Sequence, residues 1–267
     1  MLLAMNALIS SGPVHAHAGD LHAIAELDAI IEESSGEPSL LVARGSLHRM
    51  SGQWNKAEQD LRLAEETGNK YDVAFELGQL CYRRGEYEQA LRYFDTYISA
   101  YPQQAIAFLL RARAASEAEQ YDIAIESYQT YFGLATDPQP GEYLAAARLL
   151  APIKSAGIKD ALALLDEGIR ELGLNPQLQR YAMVLELERD DIQSALDRWY
   201  SLGDQLGGTP EWSITLARVL ILAGRVDEAR LVIRNAKDKL RKFRLTPARK
   251  LARQTIAHLE SQLVVLY

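Results

Sequence analysis

The chain has 267 residues, 48% of them apolar, and a formal net charge of −7. Mild acidity favours solubility and argues against a nucleic-acid-binding role, and a lone cysteine, Cys81, excludes an internal disulfide and a cysteine-paired zinc site. No stretch reaches the roughly 20 apolar residues of a membrane helix, so no transmembrane segment is predicted.

Residues 1–18 read as a secretory signal peptide. Met1-Leu-Leu-Ala-Met-Asn-Ala-Leu-Ile9 is apolar, Ser11-Gly12-Pro13 breaks a helix, and the small residues Val14, Ala16 and Ala18 have cleavage-site spacing. This places the mature start near His17 or Gly19 and the protein in the periplasm or outside the cell. A cytoplasmic protein with an N-terminal tail is the alternative. From Asp20 to Glu33, Ile24, Leu27, Ile30 and Ile31 share a helical face, and Ser34-Ser-Gly-Glu-Pro38 ends it. Residues 20–37 are therefore expected to form an N-terminal capping helix.

Beyond this point the chain repeats itself. Ala23, Ala57, Ala90, Ala124, Ala161, Ala195 and Ala229 return at steps of 33 to 37 residues. A second row runs 12 positions ahead: Gly45, Gly78, Ala112, Met183 and Ala217, with Leu149 a large exception. Two rows at fixed offset imply one two-helix unit, repeated and stacked. Residues 38–140 hold three regular units. The first, Pro38–Lys70, carries Gly45, Gly52, Trp54, Ala57, Leu61 and Ala64. The second, Tyr71–Gln104, carries Leu77-Gly78, Gly85, Tyr87, Ala90, Phe94 and Pro102, and the third, Ala105–Pro138, carries Phe108, Ala112, Tyr121, Ala124 and Tyr128.

Residues 141–243 hold three degenerate units. The fourth, Gly141–Asn175, contains the 37-residue step, Leu149, and Pro152 inside its first helix. Proline removes a backbone hydrogen bond and clashes with the preceding turn. A kink or an early helix end is predicted there, with the superhelix irregular between Pro138 and Gly157. The fifth unit, Pro176–Thr209, keeps Ala195, Trp199 and Leu202; the sixth, Pro210 to Phe243, keeps Leu216-Ala217, Gly224, Ala229, Ile233 and Ala236. Thr246-Pro247 supplies an N-cap and a first-turn proline. It opens a C-terminal capping helix over 246–267, with Leu251, Ile256, Leu259 and Leu263 along its apolar face.

The Leu-Gly pair, the Ala and Phe of the second helix and the closing Pro of Tyr71–Pro102 resemble the tetratricopeptide repeat, and the resemblance covers residues 20 to about 243, most specific over Tyr71–Pro102 and looser beyond Pro138. It implies an all-α fold, an α-α superhelix of about six helix-turn-helix repeats with an N-terminal half-repeat and a C-terminal capping helix. It also implies a non-catalytic scaffold whose first helices line a concave groove for a peptide or partner protein. Carried onto the first three units, the groove positions are Arg49, Asp72, Phe75, Gln79, Tyr82, Arg83, Leu109, Arg113 and Glu117. The chaperone-binding clamp of the family is not expected, because its slots hold Val42, Ser46, Glu76, Ile106 and Leu110.

Little else points to chemistry. There is no phosphate-binding glycine loop, no His-Glu-x-x-His pair and no Gly-x-Ser-x-Gly elbow, so neither an enzyme nor a cofactor is predicted. His15, His17 and His22 with Asp20 could form a metal cluster, but the first two belong to the leader, and no metal site is assigned. His48 falls at a core slot and reads as a satisfied, half-buried side chain, and Cys81 as a small buried apolar one. From Arg230 to Arg253 the chain carries ten basic residues and one acid, +9 against −7 overall, which leaves −16 for the rest. That end is either a solvated counterweight or a binder of anionic surfaces, a different functional class from the groove.

Overall fold

The computed structural model covers residues 18–34, 36–153, 157–241, 244 and 246–265. The expected signal peptide lies outside the described residues except for Ala18, as do His15, His17, Lys242 and Phe243. Among the described residues the secondary structure is helical, and the chain divides at Thr136/Asp137 into two compact units.

The first unit holds α1 (Ala18–Glu33), α2 (Pro38–Met50), α3 (Trp54–Thr67), α4 (Lys70–Arg84), α5 (Tyr87–Ala100), α6 (Ala105–Glu117) and α7 (Tyr121–Leu134). α2–α3, α4–α5 and α6–α7 are hairpins, stacked through α3 on α4 and α5 on α6, with α1 covering α2 as a half-repeat. The alanine row sits where two helices meet: Ala57, Ala90 and Ala124 are fully buried. The offset row explains why small residues are needed. A Cβ on Gly78 would stand 2.7 Å from Cε1 of Phe94, and one on Gly45 2.9 Å from Cγ of Leu61. The second helix thus sends a large side chain into the space that the first helix leaves open.

Each regular hairpin turns on a residue with left-handed backbone. Gly52, Gly85 and Gly224 take it at φ 72°, 78° and 70°, but Glu119 and Asp190 occupy the same repeat position at 58° and 61°. Only glycine enters this region without a Cβ penalty.

The second unit holds α8 (Pro140–Leu150), α9 (Gly157–Leu172), α10 (Pro176–Glu188), α11 (Ile192–Ser201), α12 (Gly203–Leu206), α13 (Pro210–Leu222), α14 (Val226–Arg241) and α15 (Pro247–Val265). α8 stops at Leu150, two residues before Pro152, so the proline acts as an early end and not as a kink. The register expected here needs correcting. The three extra residues lie in the connection between α8 and α9, and Ala146, 34 positions after Ala112 and 3% exposed, fills the small slot assigned to Leu149. This hairpin has a second close approach, at the positions that Tyr97 and Phe75 hold in the second repeat: a Cβ on Gly168 of the second helix would meet Tyr143 of the first at 2.8 Å. The second helix of the fifth repeat, in turn, breaks at Leu202 into α11 and α12. Trp199 stays buried there, its indole N–H donating to the Trp212 carbonyl at 2.9 Å.

α15 covers α13 and α14 with Ile256, Leu259 and Leu263, all buried. Leu251 does not join them and is 64% exposed. Five residues separate it from Ile256, about 140° around a helix, whereas Ala252 sits one turn away and packs on the cluster. At the other end Ile30 of α1 is likewise exposed, while Ile24 is buried and Ile31 packs on the first hairpin.

Polar bridges join successive repeats at a recurring position. Asp28, Asp95 and Asp166 each lie five residues after an alanine of the row. Each meets an arginine of the next repeat at 2.7 Å: Arg44, Arg111 and Arg198. Each arginine also reaches inside its own hairpin, Arg44 to Asp60 at 2.6 Å, Arg111 to Ser127 at 2.7 Å and Arg198 to Glu186 at 2.6 Å. His48 sits beside the first bridge. It is buried, its Nε2 is 3.9 Å from Asp60, and its Nδ1 has no hydrogen-bond partner, so the expected satisfied side chain is buried but unsatisfied. Burial pushes its pKa below the ordinary histidine value, against the pull of Asp60.

Three outcomes follow from this packing. Phe94→Ala should destabilise the protein by about 3–5 kcal/mol in urea unfolding, by leaving a cavity against Gly78. Glu119→Gly should stabilise it by up to about 1 kcal/mol, because relief of the left-handed strain exceeds the added freedom of the unfolded chain. His48 binds its proton more weakly folded than unfolded, so its contribution is lost as pH falls below about 6.5, where the unfolded chain protonates first. Stability measured at pH 7.5 and pH 5 should therefore drop less in His48→Leu than in the wild type.

Candidate functional site

The nine expected groove positions all lie on the first helices of the first unit, but the structure divides them. Leu109 is buried, 4% exposed, and presents nothing to a ligand, which corrects its assignment. Arg49 is bridged to Glu76 at 3.0 Å, and Gln79 donates to the other oxygen of the same carboxylate at 3.2 Å. The Arg49–Glu76 pair thus joins α2 to α4, Gln79 supports the carboxylate from within α4, and the polar ends of Arg49 and Gln79 are engaged within the chain. Asp72 accepts hydrogen bonds from the Tyr101 hydroxyl and from the Asn69 amide, the latter at 3.0 Å. It ties the start of α4 to the end of α5. Phe75 packs inside its hairpin, its ring 4.8 Å from Tyr97 and edge-on to Phe94 at 6.3 Å.

Tyr82, Arg83, Arg113 and Glu117 form a second group. They occupy the C-terminal halves of α4 and α6, helices that touch directly. Arg83, Arg113 and Glu117 are exposed, and Tyr82 is half-buried with its ring 5.7 Å from that of Tyr87. The Tyr82 phenol titrates above the ordinary tyrosine value. Burial is the main cause and Glu117 the second, while Arg113 and Arg83 pull the other way. One tyrosine edge therefore sits among two cations and one anion contributed by adjacent repeats. Such a patch can offer a rigid apolar face, a phenol donor and guanidinium forks. It has no buried nucleophile or base. Cys81 is buried behind it, and burial pushes its thiol up to about 12, so it stays protonated at neutral pH.

The second unit carries a comparable surface, which the expected groove positions do not include. An open hollow of about 520 Å³ is lined by Leu144 and Arg148 of α8 and by Gln177, Arg180, Tyr181 and Val184 of α10. The Arg148 guanidinium lies over the Tyr181 ring at 5.7 Å, and Arg180 reaches Glu211 at 3.2 Å. The readable signal was the Arg and Tyr content of these two first helices. Among the described residues no group of three or more His, Cys, Asp or Glu side chains converges as metal ligands would, and no helix is long and apolar enough to cross a membrane. His22 lies 3.2 Å from Glu26 of its own helix.

No family model matches the sequence, and no curated protein does. Solved structures do match. PilF of Pseudomonas aeruginosa is 18% identical over 73% of this chain and 87% of its own, with a TM-score of 0.56. YrrB, a tetratricopeptide-repeat protein with an unusual peptide-binding site, is 15% identical over 75% of this chain and 97% of its own, at 0.53. A tetratricopeptide-repeat protein of Parabacteroides merdae is 15% identical over 89% of this chain and 92% of its own, at 0.51. With the paired helices and the buried small-residue rows, these likenesses identify the fold of this chain as the tetratricopeptide-repeat α-α superhelix, six hairpins with an N-terminal half-repeat and a C-terminal capping helix.

Proposed function

We propose that the protein is a non-catalytic scaffold that holds a peptide segment of a partner protein against the first helices of its N-terminal unit. The observation that carries the reading is the patch of Tyr82, Arg83, Arg113 and Glu117, in which adjacent repeats place an aromatic edge among charges of both signs. Arginine and tyrosine are the residue types that dominate binding energy at interfaces. The complement of this patch is an extended or helical peptide with acidic and apolar side chains, its carboxylates gripped by guanidinium groups and its apolar groups laid on Tyr82. The peptide-binding site of YrrB, a protein of the same fold, supports this reading. We further propose that the protein is exported and works in the periplasm or outside the cell. The apolar run before Pro13 and the small residues Val14, Ala16 and Ala18 support export.

The test begins with a partner captured by crosslinked pull-down from the native host. Arg83→Ala should weaken binding of that partner by about 2 kcal/mol, as loss of an interface anchor does. Its melting temperature should stay at the wild-type value, because Arg83 is exposed. Tyr82→Ala is a less clean probe, since its ring also rests on Tyr87. Unchanged binding in both variants would place the site elsewhere. N-terminal sequencing of protein from the native host checks export, and an intact Met1 on the folded protein would refute it.

A further inference from the structure

The basic C-terminal segment is not absorbed by the groove, and the structure gives part of it a defined shape. Arg230, Arg234, Lys237 and Arg241 follow one another at steps of four, three and four residues, so they form one stripe on α14. The stripe runs about 16 Å along the helix axis. It borders an open cleft of about 410 Å³ between α14 and α15, whose apolar floor includes Ile233 and Leu263.

Three of the four cations of this cleft lie beside carboxylates of the same chain. Glu260 of α15 lies on Lys237, its two oxygens at 2.7 and 2.8 Å. Asp238 and Asp227 stand farther from their partners, at 3.5 Å from Arg241 and 3.4 Å from Arg230. Of these three pairs the Lys237 pair is the close one; Arg230 also donates to the Leu263 carbonyl at 3.3 Å, and Arg234 and Arg241 are exposed along the stripe.

We propose that this cleft is a second docking site, one that takes a short acidic segment of a partner protein. Three arguments select that occupant. Carboxylates are the groups the cleft already accommodates, and arginine forks bind them bidentately. Among the described residues no aromatic side chain lines the cleft on which a nucleobase could stack. The sequence outside residues 230–253 carries −16. A long polyanion or an anionic membrane would feel that charge as repulsion, whereas a short acidic segment meets chiefly the cleft.

The experiment uses the full chain and three probes at low salt: a labelled oligoglutamate peptide, a labelled oligothymidylate, and vesicles containing phosphatidylserine. The peptide should bind best, and binding should fall steeply with added salt. The double variant R234E/R241E, and its milder form R234Q/R241Q, should lose about tenfold or more in peptide affinity. Reversal of an exposed arginine in the other unit, R92E, should leave it unchanged. Tighter binding of the oligonucleotide or the vesicles would overturn the proposal. So would wild-type peptide affinity in both double variants, or a loss produced by R83E and not by R234E/R241E, which would return acidic-peptide binding to the groove.

Discussion

Everything in this fold depends on how closely two helices of a hairpin can approach. In the second repeat Gly78 leaves a gap that Phe94 fills so tightly that a methyl group would have to displace the ring. Ala90, four residues before Phe94 on the same helix, is fully buried. Small residues set the distance, and one large side chain per hairpin fills the remaining volume. The fourth hairpin keeps this contact, with Ala146 in the small slot and fully buried Leu165 at the position of Phe94, and adds a second close approach in which Gly168 of the second helix makes room for Tyr143 of the first.

Stacking of repeats is handled by different chemistry. The Asp-to-Arg bridges of Asp28, Asp95 and Asp166 join successive repeats, while each arginine is anchored again inside its own hairpin. A half-buried arginine held at both ends is worth more than a surface pair, because both partners are already positioned. The arrangement also creates local frustration. Glu186 is buried with one oxygen unpartnered, and its pKa is raised by burial despite Arg198. His48 carries a similar unpaired atom in the first repeat. The core slot that holds Cys81 in the second repeat holds His48 in the first and Glu186 in the fifth, so these two repeats keep a buried polar group that the packing alone does not require.

Much of the fold was legible because the alanine row is spaced by repeat length and is buried almost everywhere. The failures share a physical cause. Leu149 was placed by counting back from Ala161, which assumes a hairpin connection of constant length; counting forward from Ala112 reaches Ala146 directly. Leu251 was placed on an apolar face by residue type, although its angular offset from Ile256 turns it to solvent. The groove was less legible than the fold. Repeat position says which helix face a residue occupies, but not whether a neighbour has claimed its polar end. Arg49 and Gln79 share the faces of Tyr82 and Arg113, yet Glu76, a residue from another slot, engages both of them. Leu109 shares the slot of half-buried Phe75 and is covered.

That division bears on how such a surface can change partners. In a stacked array each repeat contacts only its neighbours, so stability is close to a sum over hairpins and the joints between them. Arg49, Glu76 and Gln79 belong to a joint, and altering any one of them leaves a partly buried charge or amide without its partner. Arg83 and Glu117 stand outside any such joint contact, and exposed positions of this kind can be substituted at little cost to folding. The recognition surface can therefore vary residue by residue while the bridges beneath it stay constant. Tyr82 lies on the boundary between these two regimes. Its ring is packed against Tyr87 within the hairpin, while the electrostatic surroundings of its hydroxyl are set by Glu117 and Arg113 of the next repeat. A rigid aromatic anchored in the fold and read from outside costs little conformational entropy on binding, which is why its neighbours, more than the tyrosine itself, are the positions at which specificity can be tuned.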